Sequence, residues 1–319
     1  MIYRQMGDSD VQLSIIGLGG HEYLEDGSSR GFNEDFAAAV RPGYVGVGYG
    51  GERRRQVLAT AFEHGINFLD VTIDPEKEAL GRNLKEIIPP YEVYIQTRPE
   101  GMGYGYDEHN TKLSQYPLLK AEVERILTLL QRETIDFLNF PFLQAALDHD
   151  PEYLAKIADN VAKLKAAGLI RFATADNFSG ERTYLAQVNA GCFDALAMNC
   201  NIADAGATRA VLPQAQETGL AVITREVFLK GKLFQMGKEI GVTDRSLLAR
   251  VSLKWNLNQN GVTTALVGAH LPEHLHNCLS VLDDLAIQPD EVALLAQLQT
   301  SATFQAVSAQ KTGQFFGEG

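Results

Sequence analysis

The sequence predicts an α/β fold, a (β/α)₈ barrel of the TIM type, and three observations carry that expectation. Short apolar runs alternate with helical patterns along nearly the whole chain, the runs number eight, and no linker, repeat or low-complexity segment interrupts them. Strands separated by helices pair in parallel, and eight such units close on themselves. The 319 residues suit one such unit, since barrels of this kind routinely pass about 250 residues. We therefore expect a single domain over 1–319, with 24–51 as a long first loop or lid and 300–319 as a C-terminal tail.

The elements follow in order. Ser14 to Gly20 (SIIGLGG) reads as a short buried strand ending in glycine, and Ile66 to Thr72 (INFLDVT) as the second, after the helical RRRQVLATAFEHG. Glu92 to Arg98 (EVYIQTR) is the third and Ile135 to Phe142 (IDFLNFPF) the fourth. Arg171 to Asn177 (RFATADN) follows a helix ending in KLKAAG, whose glycine is a good C-terminal stop. Ala195 to Asn201, Leu220 to Glu226 and Thr263 to Ala269 complete the eight. The intervening helices carry the 3.6-residue stripe: Leu154, Ile157, Ala158, Val161 and Leu164 share one face.

Two segments break this rhythm. The first loop ends in the glycine-rich YVGVGYGG, which invites a phosphate-loop reading. It follows no predicted strand and lacks a Lys-Ser/Thr terminus, so a flexible lid is the better interpretation. The tail is polar, with Phe304, Phe315 and Phe316 set into it.

Composition narrows the function classes. A formal charge of −12 argues against nucleic acid and anionic membranes as partners, because both need a basic footprint. No stretch approaches the ~18 to 20 apolar residues of a membrane helix, and the N-terminus has no apolar signal core, which makes a cytoplasmic location the expectation. Cys192, Cys200 and Cys278 fit neither a disulfide framework nor a zinc spacing, and read as reduced, packed thiols.

The strand ends are where a barrel of this type places its site, and there the sequence resembles the aldo-keto reductase family over nearly its whole length. YRQMGDSDVQLSIIGLGG is similar to the family's opening hairpin and first strand. GINFLD looks like the second-strand block that delivers a catalytic aspartate, GLIRFATADNFS like the fifth-strand block, and LVGAHLPEHLHN like the eighth. The resemblance implies four catalytic residues: a tyrosine acid, a lysine that lowers its pKa, an aspartate paired with the lysine, and a histidine that bonds the substrate oxygen.

Asp70 matches the aspartate. No tyrosine follows it in the shortened VTIDPEKEALG, where Asp74 and Pro75 occupy the region. Arg98 stands where the lysine should, and Arg stays protonated, which makes it a poor proton relay. Pro141 stands where the histidine should and has neither a polar side chain nor an N–H. The resemblance thus implies that ordinary carbonyl reduction cannot run on these residues.

The cofactor side is altered as well. Positions that grip the nicotinamide in the family are matched by Asp176, Asn177, Ala197 and Cys200, of which only Asn177 is retained. His270 takes the first 2′-phosphate position and Asn277 the helix asparagine, with no Lys or Arg between Lys254 and Lys311. NADPH binding by the usual route is not expected. NAD(P) stays open as a cofactor because Arg225, Lys230 and Lys232 lie near the seventh-strand loop, where a pyrophosphate could bind.

The mouth should therefore display His21, Asp70, Asp74, Arg98, Glu100, Asp176, Asn177, Asn199, Asn201, Arg225 and Glu226. That set suits a small hydroxyl-rich or anionic ligand: a sugar, sugar acid or organic acid. Asp70, Arg98 and Asp176 are the candidate catalytic residues. His21, Asp74, Asn199 and Arg225 are candidate substrate contacts, with Arg98 or Arg225 gripping a carboxylate in bidentate fashion. Asn177, Glu226, Lys230, His270 and Asn277 are candidate cofactor contacts.

Each candidate has a structural alternative. Asp70 with Arg98 can be a buried ion pair, Arg225 with Glu226 a local brace, and Asp176 a helix cap. A loop tyrosine among Tyr23, Tyr44, Tyr49, Tyr104 and Tyr106 can substitute as the acid. No spacing signature supports a metal at Asp70, Asp74 and Glu100. Three readings stand: a ligand binder or non-redox enzyme, an NAD(P)-dependent oxidoreductase with a rebuilt site, and a catalytically silent barrel with a regulatory or assembly role. Substrate and oligomeric state are not legible.

Overall fold

The computed structural model describes residues 1–23, 29–33 and 48–317. A two-stranded antiparallel hairpin, β1 (Tyr3–Gln5) and β2 (Gln12–Ser14), precedes a closed barrel of eight parallel strands. These are β3 (Ile16–Gly19), β4 (Phe68–Asp70), β5 (Tyr94–Thr97), β6 (Ile135–Pro141), β7 (Ile170–Asp176), β8 (Ala195–Asn199), β9 (Ala221–Arg225) and β10 (Val262–Val267). They pair in chain order, and β10 closes on β3. All eight barrel strands expected from the apolar runs are present.

Two apolar layers explain the closure. Inside the barrel, Phe68, Tyr94, Phe137, Ala195, Ala221 and Leu266 pack with Met6, Val11 and Leu13, so the hairpin plugs the end where the strands begin. Outside, β-branched and leucine side chains of the opposite parity pack against the helices, as Leu69, Ile95 and Leu138 do. Strand residues of one parity therefore point down the axis, and the last of them (Asp70, Asp176, Asn199 and Arg225) come to the open mouth.

The expected tail is a helix instead. Ala302–Phe316 is α-helical, capped by the Ser301 hydroxyl, which accepts from the Phe304 amide. Phe304, Val307 and Phe315 are buried on it at helical spacing, the signal that the polar composition concealed. Phe315 fits closely over Gly180 and Gly206, where an added Cβ would stand 2.6 Å from the Phe315 carbonyl oxygen and 2.7 Å from its ring. The lid expected over 24–51 falls largely on 24–28 and 34–47, outside the described residues. Among the described residues no helix is long and apolar enough to cross a membrane.

Candidate active site at the barrel mouth

Two clusters of charge stand at the mouth. The first lies on the β7–β9 side. Asp176 ends β7, fully buried, and Arg225 ends β9. The Arg225 guanidinium donates from both terminal nitrogens to the two Asp176 oxygens, at 2.7 Å for the first, and its Nε donates to Asn199 Oδ1 at 2.9 Å. The Tyr104 hydroxyl donates to the same carboxylate at 2.5 Å. Phe178 covers the other side of the Arg225 guanidinium, 4.3 Å away. Burial raises the Tyr104 pKa and the Asp176 charge raises it further, so this phenol holds its proton more tightly than an ordinary one. A tuned acid needs the opposite shift.

Tyr104 comes from the loop after β5, where its own backbone is left-handed (φ 51°), as are His109 and Asn110. Asn110 pins that loop: its amide nitrogen donates to the Tyr104 and Asp107 carbonyls, and its Oδ1 accepts from the Leu143 amide. Gly103 lies against Pro141, where a Cβ would meet the proline ring at 2.4 Å. The loop therefore closes over the strand end that carries Pro141.

The second cluster lies at β3–β5. His21 Nδ1 is 2.7 Å from Glu76 Oε1. Glu76 lies in the first turn of the helix Asp74–Glu86 and also accepts from the Thr72 and Ile73 amides. Burial opposes charge on the His21 imidazole, yet Glu76 and then Asp70 outweigh it and raise its pKa. Burial likewise works against the Glu76 carboxylate, and His21 with the two amides outweighs it and lowers its pKa. Asp70 does not pair with Arg98. Its carboxylate accepts from Gln96 Nε2 at 2.8 Å, and burial raises its pKa despite that bond and the fields of His21, Arg225 and Arg98.

Arg98 stands between the clusters. Among the described residues no carboxylate lies within ion-pair distance of it, and its guanidinium carbon stands 5.1 Å from the centre of the Tyr104 ring. Burial works against its charge, but Tyr104, Glu100 and Asp176 outweigh it and keep the group firmly cationic.

Several expected contacts are engaged elsewhere. Asp74 is fully buried behind the mouth, where Lys77 Nζ donates to it at 3.0 Å and Arg125 at 2.5 and 3.1 Å. The shortened segment starts a helix at Asp74, which turns that carboxylate towards the helix Tyr116–Leu130. Glu100 is buried with the same group, 3.6 Å from Lys77. Asn177 donates to Gln187 Oε1 and accepts from the Ser179 amide, so both ends of its amide are used inside the protein. Glu226 pairs with Lys230 at 3.0 Å rather than with Arg225. Asn201 Nδ2 donates to the Glu226 carbonyl.

At the exit of β10 the fold supplies cations that local sequence did not reveal. Arg53 lies 2.7 Å from His270 Nε2, and Arg250 donates to Asn277 Oδ1 at 2.8 Å. Both arginines come from other helices, Glu52–Glu63 and Arg245–Leu257. Among the described residues no group of three or more metal-ligating side chains occurs. A groove of about 500 Å³ lies at the other end of the barrel, lined by Met1, Tyr3, Phe62, Ile87 and Tyr91. Its mostly apolar wall carries none of the groups described here.

The eight-strand barrel finds its match among known proteins. The family model described as the aldo/keto reductase family matches residues 49–246. The chain belongs to that family. Its barrel is similar to an aldo-keto reductase, AKR11C1 from Bacillus halodurans in holo form, with a TM-score of 0.70 and 19% identity over 97% of this chain and 99% of that one. It is also similar to the glycerol dehydrogenase AKR11B4 from Gluconobacter oxydans, with a TM-score of 0.65 and 18% identity over 93% and 94% of the two chains. No curated protein sequence matches. As an aldo/keto reductase family barrel the chain has the expected fold, and at these identities the solved neighbours speak for fold alone.

Proposed function

We propose that this aldo/keto reductase family member binds a small anionic, hydroxyl-rich ligand (a sugar acid or organic acid) at the barrel mouth, without the family's tyrosine-dependent carbonyl reduction. The observation that carries this reading is Arg98, a cation at the mouth with no carboxylate in ion-pair range among the described residues. A guanidinium in that state takes a carboxylate or phosphate through two parallel hydrogen bonds. Arg225 does not share the task, because Asp176 and Asn199 already occupy it. Arg98 at the β5 exit and Pro141 at the end of β6 leave the reductase chemistry without a lysine relay or a histidine. Tyr104, a loop tyrosine that reaches the mouth, has its pKa shifted away from use as an acid.

The ring end of a nicotinamide does not fit the donors present. Asn177 has both amide ends engaged, and Asp176 is held by Arg225 and Tyr104. The second reading, an NAD(P)-dependent oxidoreductase with a rebuilt site, draws its support from Arg53 and Arg250 at the β10 exit, where a phosphate could be held.

Calorimetric titration with D-gluconate, D-glucuronate, L-lactate, NADH and NADPH separates the readings. We expect a carboxylate to bind and Arg98→Met to weaken it at least tenfold, the scale of one charge-assisted pair. Binding unaffected by R98M sinks the proposal, and turnover of NAD(P)H with a carbonyl substrate replaces it with the second reading. If no probe binds, the silent barrel remains.

A further inference from the structure

Behind the His21–Glu76 pair lies a small cavity that the mouth chemistry does not use. It has about 10 Å³ of free space, lined by Gly20, Glu22, Arg54, Glu76 and Asn83 with the apolar side chains of Leu58, Val71, Ala79 and Leu80. Its polar walls are incomplete. Arg54 Nη1 and both the nitrogen and the oxygen of the Asn83 amide are buried with no hydrogen-bond partner. Arg54 is 9% exposed and Asn83 1%. The other Arg54 nitrogen, Nη2, donates to the Gly19 carbonyl at 3.1 Å, which fixes the guanidinium in place. Burial lowers the Arg54 pKa, a sign of how little solvent reaches this charge.

Two residues that line one space, Arg54 and Asn83, carry orphaned polar atoms that call for a partner, since buried donors and acceptors are almost always satisfied. The chemistry of the wall says which. A monatomic anion would meet Arg54 but also the Glu22 and Glu76 carboxylates. A cation would meet those carboxylates but also the guanidinium. A water molecule both donates and accepts, needs two to four polar partners, and fits a space of roughly 10–15 Å³.

We infer that one ordered water occupies this cavity, accepting from Arg54 and Asn83 and donating to the carboxylates, and that it makes Asn83 a positioning residue for the His21–Glu76 pair. Asn83 lies on the helix that carries Glu76, and Arg54 on the helix Glu52–Glu63. The water thus ties two helices to the carboxylate that orients the mouth histidine. The inference stands apart from the choice of ligand, since it concerns what holds His21 and not what the mouth receives.

The test uses the full chain. A high-resolution crystal structure is expected to show one peak in the cavity within hydrogen-bonding distance of Arg54 and Asn83. A bromide soak is expected to give no anomalous signal there. Histidine NMR titration, with H21Q assigning the resonance, supplies the functional half. Asn83→Leu, close in size but apolar, is expected to change the proton affinity of His21 at least threefold. Asn83→Ser, which keeps a hydroxyl and leaves room for water, is expected to restore it towards wild type. An empty cavity, a bromide peak, or a His21 midpoint indifferent to both variants overturns the inference. If N83L does not fold, the wild-type density and N83S still decide, because N83S must then retain both the water and the wild-type midpoint.

Discussion

The exits of β5 and β9 each send an arginine to the mouth, and the fold uses the two in opposite ways. Arg225 is a strut: it grips Asp176 with both terminal nitrogens and Asn199 with the third, under the Phe178 ring. Arg98 rests beside an aromatic ring and keeps its charge without a carboxylate partner among the described residues. The difference lies in what stands opposite. β7 ends in an acid in register with Ala197 of β8, close to Arg225, whereas β4 ends in an acid that Gln96 has already engaged. An arginine whose charge is met by the protein adds rigidity, and Arg98, which has no carboxylate in ion-pair range among the described residues, is where the proposed ligand would be held.

The largest effect should come from breaking the strut. Arg225→Met leaves Asp176 buried without its cation, and removal of one partner from a buried pair costs about 3–5 kcal/mol. Urea denaturation is expected to show that loss. The double variant R225M/D176N should recover part of it, and additive single effects would mean that the two side chains are not coupled.

Tyr104→Phe comes next. It removes one hydrogen bond to a charged group, a cost of roughly 1.5–3 kcal/mol. It also frees the loop after β5, so faster amide exchange over 103–110 is expected. Unchanged exchange there would show that Asn110 alone holds the loop. Arg98→Met should be the reverse of R225M: stability within about 1 kcal/mol of wild type, but ligand affinity down at least tenfold. A large fall in stability would place Arg98 with the struts.

The smallest effect is pH dependence from His21 and Glu76. The folded-state pKa of His21 is raised above 6.5, so its contribution is fully present below 6.5 and fades as pH climbs through the folded value. Glu76 is depressed below 4.5, so its contribution is present above 4.5 and fades as pH falls through the folded value. Stability from this pair is therefore greatest between those two limits. H21Q should flatten the upper flank of the stability–pH curve, and an unchanged flank would show that other groups set it.

Much of this was legible in the chain. Runs such as INFLDVT and IDFLNFPF announce strands because apolar residues buried on both faces leave that mark, and the eightfold alternation implies closure. The strand-end residues Asp70, Arg98, Asp176, Asn199 and Arg225 follow from where the runs stop. The C-terminal helix escaped notice because its apolar residues are few and hidden among polar ones. The partners escaped for a different reason: Tyr104 lies 72 positions from Asp176, Arg53 217 from His270, and Arg125 51 from Asp74.

By itself the sequence determined the barrel, the family resemblance and the residue types that reach the mouth, because strand parity and periodicity are local properties written every two or four residues. Only the tertiary structure decided which charges neutralise one another. That choice depends on where side chains from distant elements meet in space. A single helix start moved Asp74 out of the mouth and a single loop brought Tyr104 into it, which left Arg98 as the arginine there without a matching acid among the described residues.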